Sequence, residues 1–195
     1  MIRVAVPLAL VATLAGCGQP AADKAADKPR ATPTPFVTGG WATVLGDAPR
    51  TIELLNGMGF RLSAYAPKGG AFVATAQPTP MGDPSIKPVN IANLSVTGDA
   101  QRIGELRFTL DIVNLDSSPF AKDQFIRWVN RPMASMALPG QDVVEQAIRT
   151  ESPASGNLPG AEYTITREPI DGGRRLIVTF TRPAPQAGDS HPRNP

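Results

Sequence analysis

The chain has 195 residues, 42% of them hydrophobic and 18% charged, with 21 prolines and 18 glycines, which is room for one ordinary domain plus an export segment and irregular connections. Nineteen basic against seventeen acidic residues leave a formal charge of +2, too even a balance for a nucleic-acid partner, which needs a clustered basic surface. The single cysteine, Cys17, and the single histidine, His191, lie near opposite ends; this excludes an internal disulfide, a cysteine-based zinc or iron–sulfur site, and a Ser-His-Asp or Cys-His centre within the intervening chain.

The first elements in chain order belong to a leader. Arg3 forms a short basic n-region, and residues 4–15 are an apolar stretch. As a helix that stretch spans roughly 18 Å, short of the roughly 30 Å hydrocarbon core, which favours a cleaved signal over a permanent membrane span. It ends in Leu14-Ala15-Gly16-Cys17, a run that resembles the lipobox of bacterial lipoproteins at all of its positions. The resemblance implies cleavage before Cys17, with a diacylglyceryl group on the Cys17 thiol as a thioether. Two acyl chains suffice for stable anchoring. Gly18 stands where an inner-membrane lipoprotein tends to carry aspartate, so in a Gram-negative cell the resemblance implies the outer membrane, facing the periplasm.

The expected organisation is a signal over 1–16, a lipidated Cys17 and flexible tether over 17–35, one domain over 36–182 and a disordered Pro-rich tail over 183–195. The tether is rich in Pro, Ala, Asp and Lys and repeats Ala-Ala-Asp-Lys, a composition with too little apolar surface to offset the entropy of ordering.

Within the domain, Asp47-Ala-Pro49 opens a helix with Ile52, Leu55 and Met58 on one face, closed by Asn56-Gly57 and Gly59. Residues 60–66 and 71–77 read as strands joined through Pro67-Lys-Gly-Gly70, before a Pro-rich loop over 78–88. Residues 91–97 and 105–114 form the next pair, turning at Gly98-Asp99. Leu106, Phe108, Leu110 and Ile112 alternate with Arg107, Thr109 and Asp111, giving one buried and one wet face. Helical spacing returns over 119–130, with Ala121, Phe125, Trp128 and Val129 on one side and Pro132 as the expected stop. Asp142 is the expected cap of a further helix bearing Val143, Val144, Ala147 and Ile148, with Glu145 and Arg149 spaced for an ion pair. The last pattern is a hairpin, 163–167 and 175–181, turning at Asp171-Gly-Gly173. The expected fold is α+β: a mostly antiparallel sheet of about six strands with about three helices packed on one face.

No nucleotide-binding glycine pattern, EF-hand loop or histidine metal site is present in the sequence, and no cofactor is expected. Carboxylates remain as acid–base candidates, since a glycosidase needs only two. Asp111, Asp116 and Asp123 lie at a strand end, a loop and a helix start, from which they could converge; Glu105 is a further candidate. Their ordinary reading is a wet strand face, a turn and a helix N-terminus. Arg127, Arg131, Arg149, Arg167, Arg174 and Arg175 make the C-terminal half basic, suited either to solvent or to anionic headgroups and polymers. Trp41 and Trp128 read as packing residues, and Asn93-Leu-Ser95 as a chance glycosylation sequon inside a strand.

These readings converge on a membrane-anchored envelope lipoprotein. Its domain is expected to be a non-enzymatic binding or scaffolding module for an envelope protein or glycan; the alternative is a carboxylate-dependent enzyme acting on envelope glycans or lipids. A two-lobed solute-binding protein would need a longer chain.

Overall fold

The computed structural model describes residues 39–184. The lipobox with Cys17, the expected tether and His191 lie outside the described residues.

Helix α1 (Gly40–Gly46) turns Trp41, Val44 and Leu45 fully into the core and has no side-chain cap. Helix α2 (Ala48–Gly57) starts as expected: Asp47 accepts the Arg50 backbone N–H at 3.1 Å, and proline occupies the first turn. Thr51, buried between the two helices, donates to the Val44 carbonyl at 2.7 Å. Asn56 then accepts the backbone N–H of Leu62 at 2.7 Å, tying down the segment that follows.

That segment corrects the expected strand over 60–66. Strand β1 is only Ala66–Lys68, and the residues before it meet the sheet at one isolated bridge, Leu62 to Ala76, with Ser63 donating its backbone N–H to the Thr75 carbonyl and accepting the Thr75 N–H on Oγ. Phe60 is a loop plug, its ring 4.9 Å from Trp128 and 6.2 Å from Phe108. After a Gly69-Gly70 turn, both glycines at positive φ, come β2 (Ala71–Thr75) and β3 (Thr79–Pro80). Strands β4 (Ile91–Gly98) and β5 (Ile103–Ile112) follow, pairing Leu94 with Phe108 and Asn93 with Thr109. The alternation expected in β5 is present: Leu106, Phe108, Leu110 and Ile112 are buried.

Helix α3 (Ser118–Ser135) runs through Pro132 rather than stopping there. Proline removes one helical hydrogen bond, but Pro132, Met133 and Met136 continue the buried face, and burial of that face outweighs the lost bond. Helix α4 (Gln141–Thr150) is capped by Gly140, with Asp142 in its first turn rather than at the cap, where its charge still favours the helix dipole. Strands β6 (Ala154–Leu158), β7 (Ala161–Ile170) and β8 (Gly173–Thr181) complete the chain.

The architecture is α+β, with four helices and an eight-stranded antiparallel sheet ordered β1-β2-β4-β5-β8-β7-β6, β3 pairing beside β2 on β4. Helices α1 and α3 pack on β5, and α4 on β7. An aromatic line runs through this core: Trp41 stacks on Phe180 at 4.3 Å, Phe180 meets Phe108, and Phe108 meets Trp128 edge-on at 5.6 Å. The other sheet face carries Ser95, Arg107, Thr164 and Thr179 in register. Arg182 fixes the end where the described chain enters and leaves, donating to the carbonyls of Leu45 and Ile103. At the other end Asn90, 1% exposed, accepts the N–H groups of Val113 and Asn114 and donates to the Asn114 carbonyl and Ser117 Oγ.

Candidate functional site

Along α3, Gln124, Arg127, Trp128 and Arg131 recur at i, i+3, i+4 and i+7, so they share one helix face. The core face of the same helix is formed by Ala121, Phe125, Val129 and Met133. Across from the polar face stand Thr79 and Pro80 of β3 and the Met81 that follows them. The two walls enclose an open groove of about 330 Å³.

Three features define what this groove can hold. Trp128 is fixed by aromatic contacts with Phe60, Phe108 and Phe125, so it lines the groove without being free to act as a stacking platform. No acidic side chain lines the groove. Arg127 and Arg131 form no ion pair or side-chain hydrogen bond among the described residues. Each guanidinium therefore keeps its fork of N–H donors available.

The other arginines singled out in the sequence behave differently. Arg149 binds Asp123 at 2.6 Å and Glu145 at 3.0 Å, and Arg175 takes both carboxylate oxygens of Asp111 at 2.5 and 2.8 Å. Arg174 grips Glu151 in the same two-pronged manner and also donates to Ser118 Oγ. Lys122 and Arg167 close on the same carboxylate at 3.1 and 3.5 Å. The hydrogen bonds from Arg174, and next those from Lys122, hold the Glu151 carboxyl below its ordinary range, against the opposing effect of burial. Glu151, which sequence reasoning passed over, thus ties the ends of α3 and α4 to β7 and β8.

The carboxylates proposed as acid–base groups do not converge. Glu105 and Asp111 share one face of β5 but are six residues apart, about 20 Å at strand rise, beyond the roughly 5–9.5 Å of a glycosidase pair. Glu105 is held by Arg107 at 2.9 Å. Asp123 lies on the helical side of the sheet, opposite to Asp111. Asp116 borders a different, wider concavity of about 650 Å³ with Ile86, Lys87 and Leu115. Among the described residues no group of three His, Cys, Asp or Glu could hold a metal, and no helix is long and apolar enough to cross a membrane.

Trp41 is a packing residue, fully buried, with its indole N–H donated to the Pro139 carbonyl at 3.0 Å. Asn93 lies mid-strand on the helix-free face, its Oδ1 without a partner among the described residues. Comparison with known proteins finds no relative: no family model, curated protein or solved structure matches the chain. The groove was legible in principle, because the spacing of Gln124, Arg127, Trp128 and Arg131 marks a second face on a helix whose first face is apolar.

Proposed function

We propose that this chain is a lipid-anchored envelope protein, held to the membrane through Cys17, whose α+β domain is a non-enzymatic module that binds an envelope partner in the groove between α3 and β3. The observation that carries the binding half is the pair of unpartnered arginines, Arg127 and Arg131, facing a groove without acids. Arg149, Arg167 and Arg175, also at the surface, are paired with carboxylates, whereas Arg127 and Arg131 stand one turn apart and repel each other mildly, a repulsion that an anion between them would convert into attraction. The anchoring half rests on the likeness of Leu14-Ala15-Gly16-Cys17 to a lipobox.

The test is site-specific photocrosslinking in cells. A photoreactive residue at Thr79 or Gln124 should capture one discrete species in the envelope, and one at Thr164, on the opposite sheet face, should not. Capture should disappear in Arg127→Gln/Arg131→Gln. Equal capture from Thr164 would place the binding surface elsewhere.

A further inference from the structure

We infer that the α3–β3 groove is a seat for a phosphate monoester. The inference rests on the binding reading above and names the chemistry of the ligand.

Elsewhere in this fold carboxylates are met by guanidinium forks. Asp111 is saturated by one guanidinium, Nε and Nη2 of Arg175 each taking one oxygen. Two oxygens and one negative charge match one arginine fork. Arg127 and Arg131 offer two such forks, one helical turn apart and roughly 5–6 Å between Cβ atoms, with no acid between them. A lone carboxylate can bridge several cations, as Glu151 does with Arg174, Lys122 and Arg167, but it brings only one negative charge to the two guanidinium charges of Arg127 and Arg131. A phosphate monoester carries up to two charges and three terminal oxygens, each a strong acceptor, and can engage both forks.

The surroundings supply further donors rather than competitors. The Gln124 amide lies one turn before the Trp128 ring on the same face, and the Trp128 indole N–H donates to no acceptor among the described residues. Pro80 and Met81 make the facing wall apolar. At about 330 Å³ the groove is larger than a bare phosphate, leaving space for a sugar or glycerol that bears it. The phosphate could thus come from a soluble sugar phosphate or from a lipid headgroup, and the chemistry at the arginines is the same for both.

The experiment uses the chain extracted from membranes in a neutral detergent, with the Trp128 indole N–H resonance as the reporter; Trp41, buried and bonded to Pro139, is the internal reference. Titration with glucose 1-phosphate, and separately with phosphatidic acid added to the micelles, should shift the Trp128 signal saturably. Glucose and phosphatidylcholine should not. A response to glucose 1-phosphate assigns a soluble source, and one to phosphatidic acid alone assigns a lipid. Arg127→Gln/Arg131→Gln should weaken the response about tenfold or more, and the charge-matched variant Lys68→Gln/Arg107→Gln should leave it within about twofold. An equal response to glutarate, or loss in the charge-matched variant, overturns the proposal. So does silence toward both phosphates; if crosslinking at Thr79 still depends on the arginines, the binding reading then stands with another ligand.

Discussion

Glu151 accepts both prongs of the Arg174 guanidinium while occupying the left-handed C-cap of α4, at φ 53. The carboxylate, 13% exposed, is simultaneously the end of a helix and the meeting point of cations from α3, β7 and β8. Because its partners lower its pKa in the folded state, the stability it contributes is complete above the ordinary glutamate range. It is lost as pH falls through the ordinary value of 4.5 and below. Glu151→Gln should cost about 2 kcal/mol at neutral pH, a largely buried charge pair being broken, and should flatten the acid side of the stability profile. Urea melts of both proteins between neutrality and acid test this; parallel profiles would refute it.

Asn90 is the second structural prediction. It fills four hydrogen-bonding positions at the junction of β4 with the β5–α3 connection. Asn90→Ala leaves two backbone N–H groups unpaired and should cost about 3 kcal/mol. Asn90→Asp keeps the acceptors but places a charge in the core and should be no better. A loss below about 1 kcal/mol in chemical denaturation would mean that water replaces the staple.

Alanine substitutions at Glu105, Asp111, Asp116 and Asp123 should each leave the cellular phenotype near wild type at equal protein levels. Asp111→Ala should lower stability modestly, by about 1 kcal/mol, because Arg175 keeps access to solvent. Complete loss of function in one folded variant would favour the carboxylate-dependent enzyme.

Cys17→Ser should release the protein from membranes when the leader is also replaced by an ordinary secretory signal, since a hydroxyl does not replace the thiol in thioether formation. The wild type should be extracted by detergent and not by high salt. Salt extraction would mean that screened surface charge holds it there. Mass spectrometry should find an acylated N-terminal peptide beginning at Cys17; an unmodified peptide with another start would defeat the lipoprotein assignment.

The parts of the fold that were legible are those where local pattern and tertiary demand agree. β5 alternates from Leu106 to Ile112, and α4 carries Val144, Ala147 and Ile148 on one face. The errors fall where the two disagree. Phe60 looks like a strand residue because it is aromatic and apolar residues follow at alternate positions, Leu62, Ala64 and Ala66, yet the core uses it as a plug. β6 reads Ala-Ser-Gly-Asn-Leu, with no β-branched residue, and exists because β7 offers it a partner. α1 is seven residues between glycines, uncapped, and is held by Trp41 against Phe180. For the site, composition revealed a basic C-terminal half but not which arginines were paired. Pairing is a property of neighbours brought together by the fold: Arg149 and Asp123 are 26 residues apart, and Arg175 and Asp111 are 64 apart.

The last strand in the sequence lies in the middle of the sheet, with β5 on one side and β7 on the other. Within the sheet, β1–β5 and the β6–β7 hairpin are joined only through β8, so the order of synthesis and the order of assembly are opposed. While Gly173–Thr181 is still within the ribosome, the two halves present unpaired edges at β5 and β7 and cannot close on one another. Until Gly173–Thr181 is available to pair on both of its edges, the sheet cannot be completed.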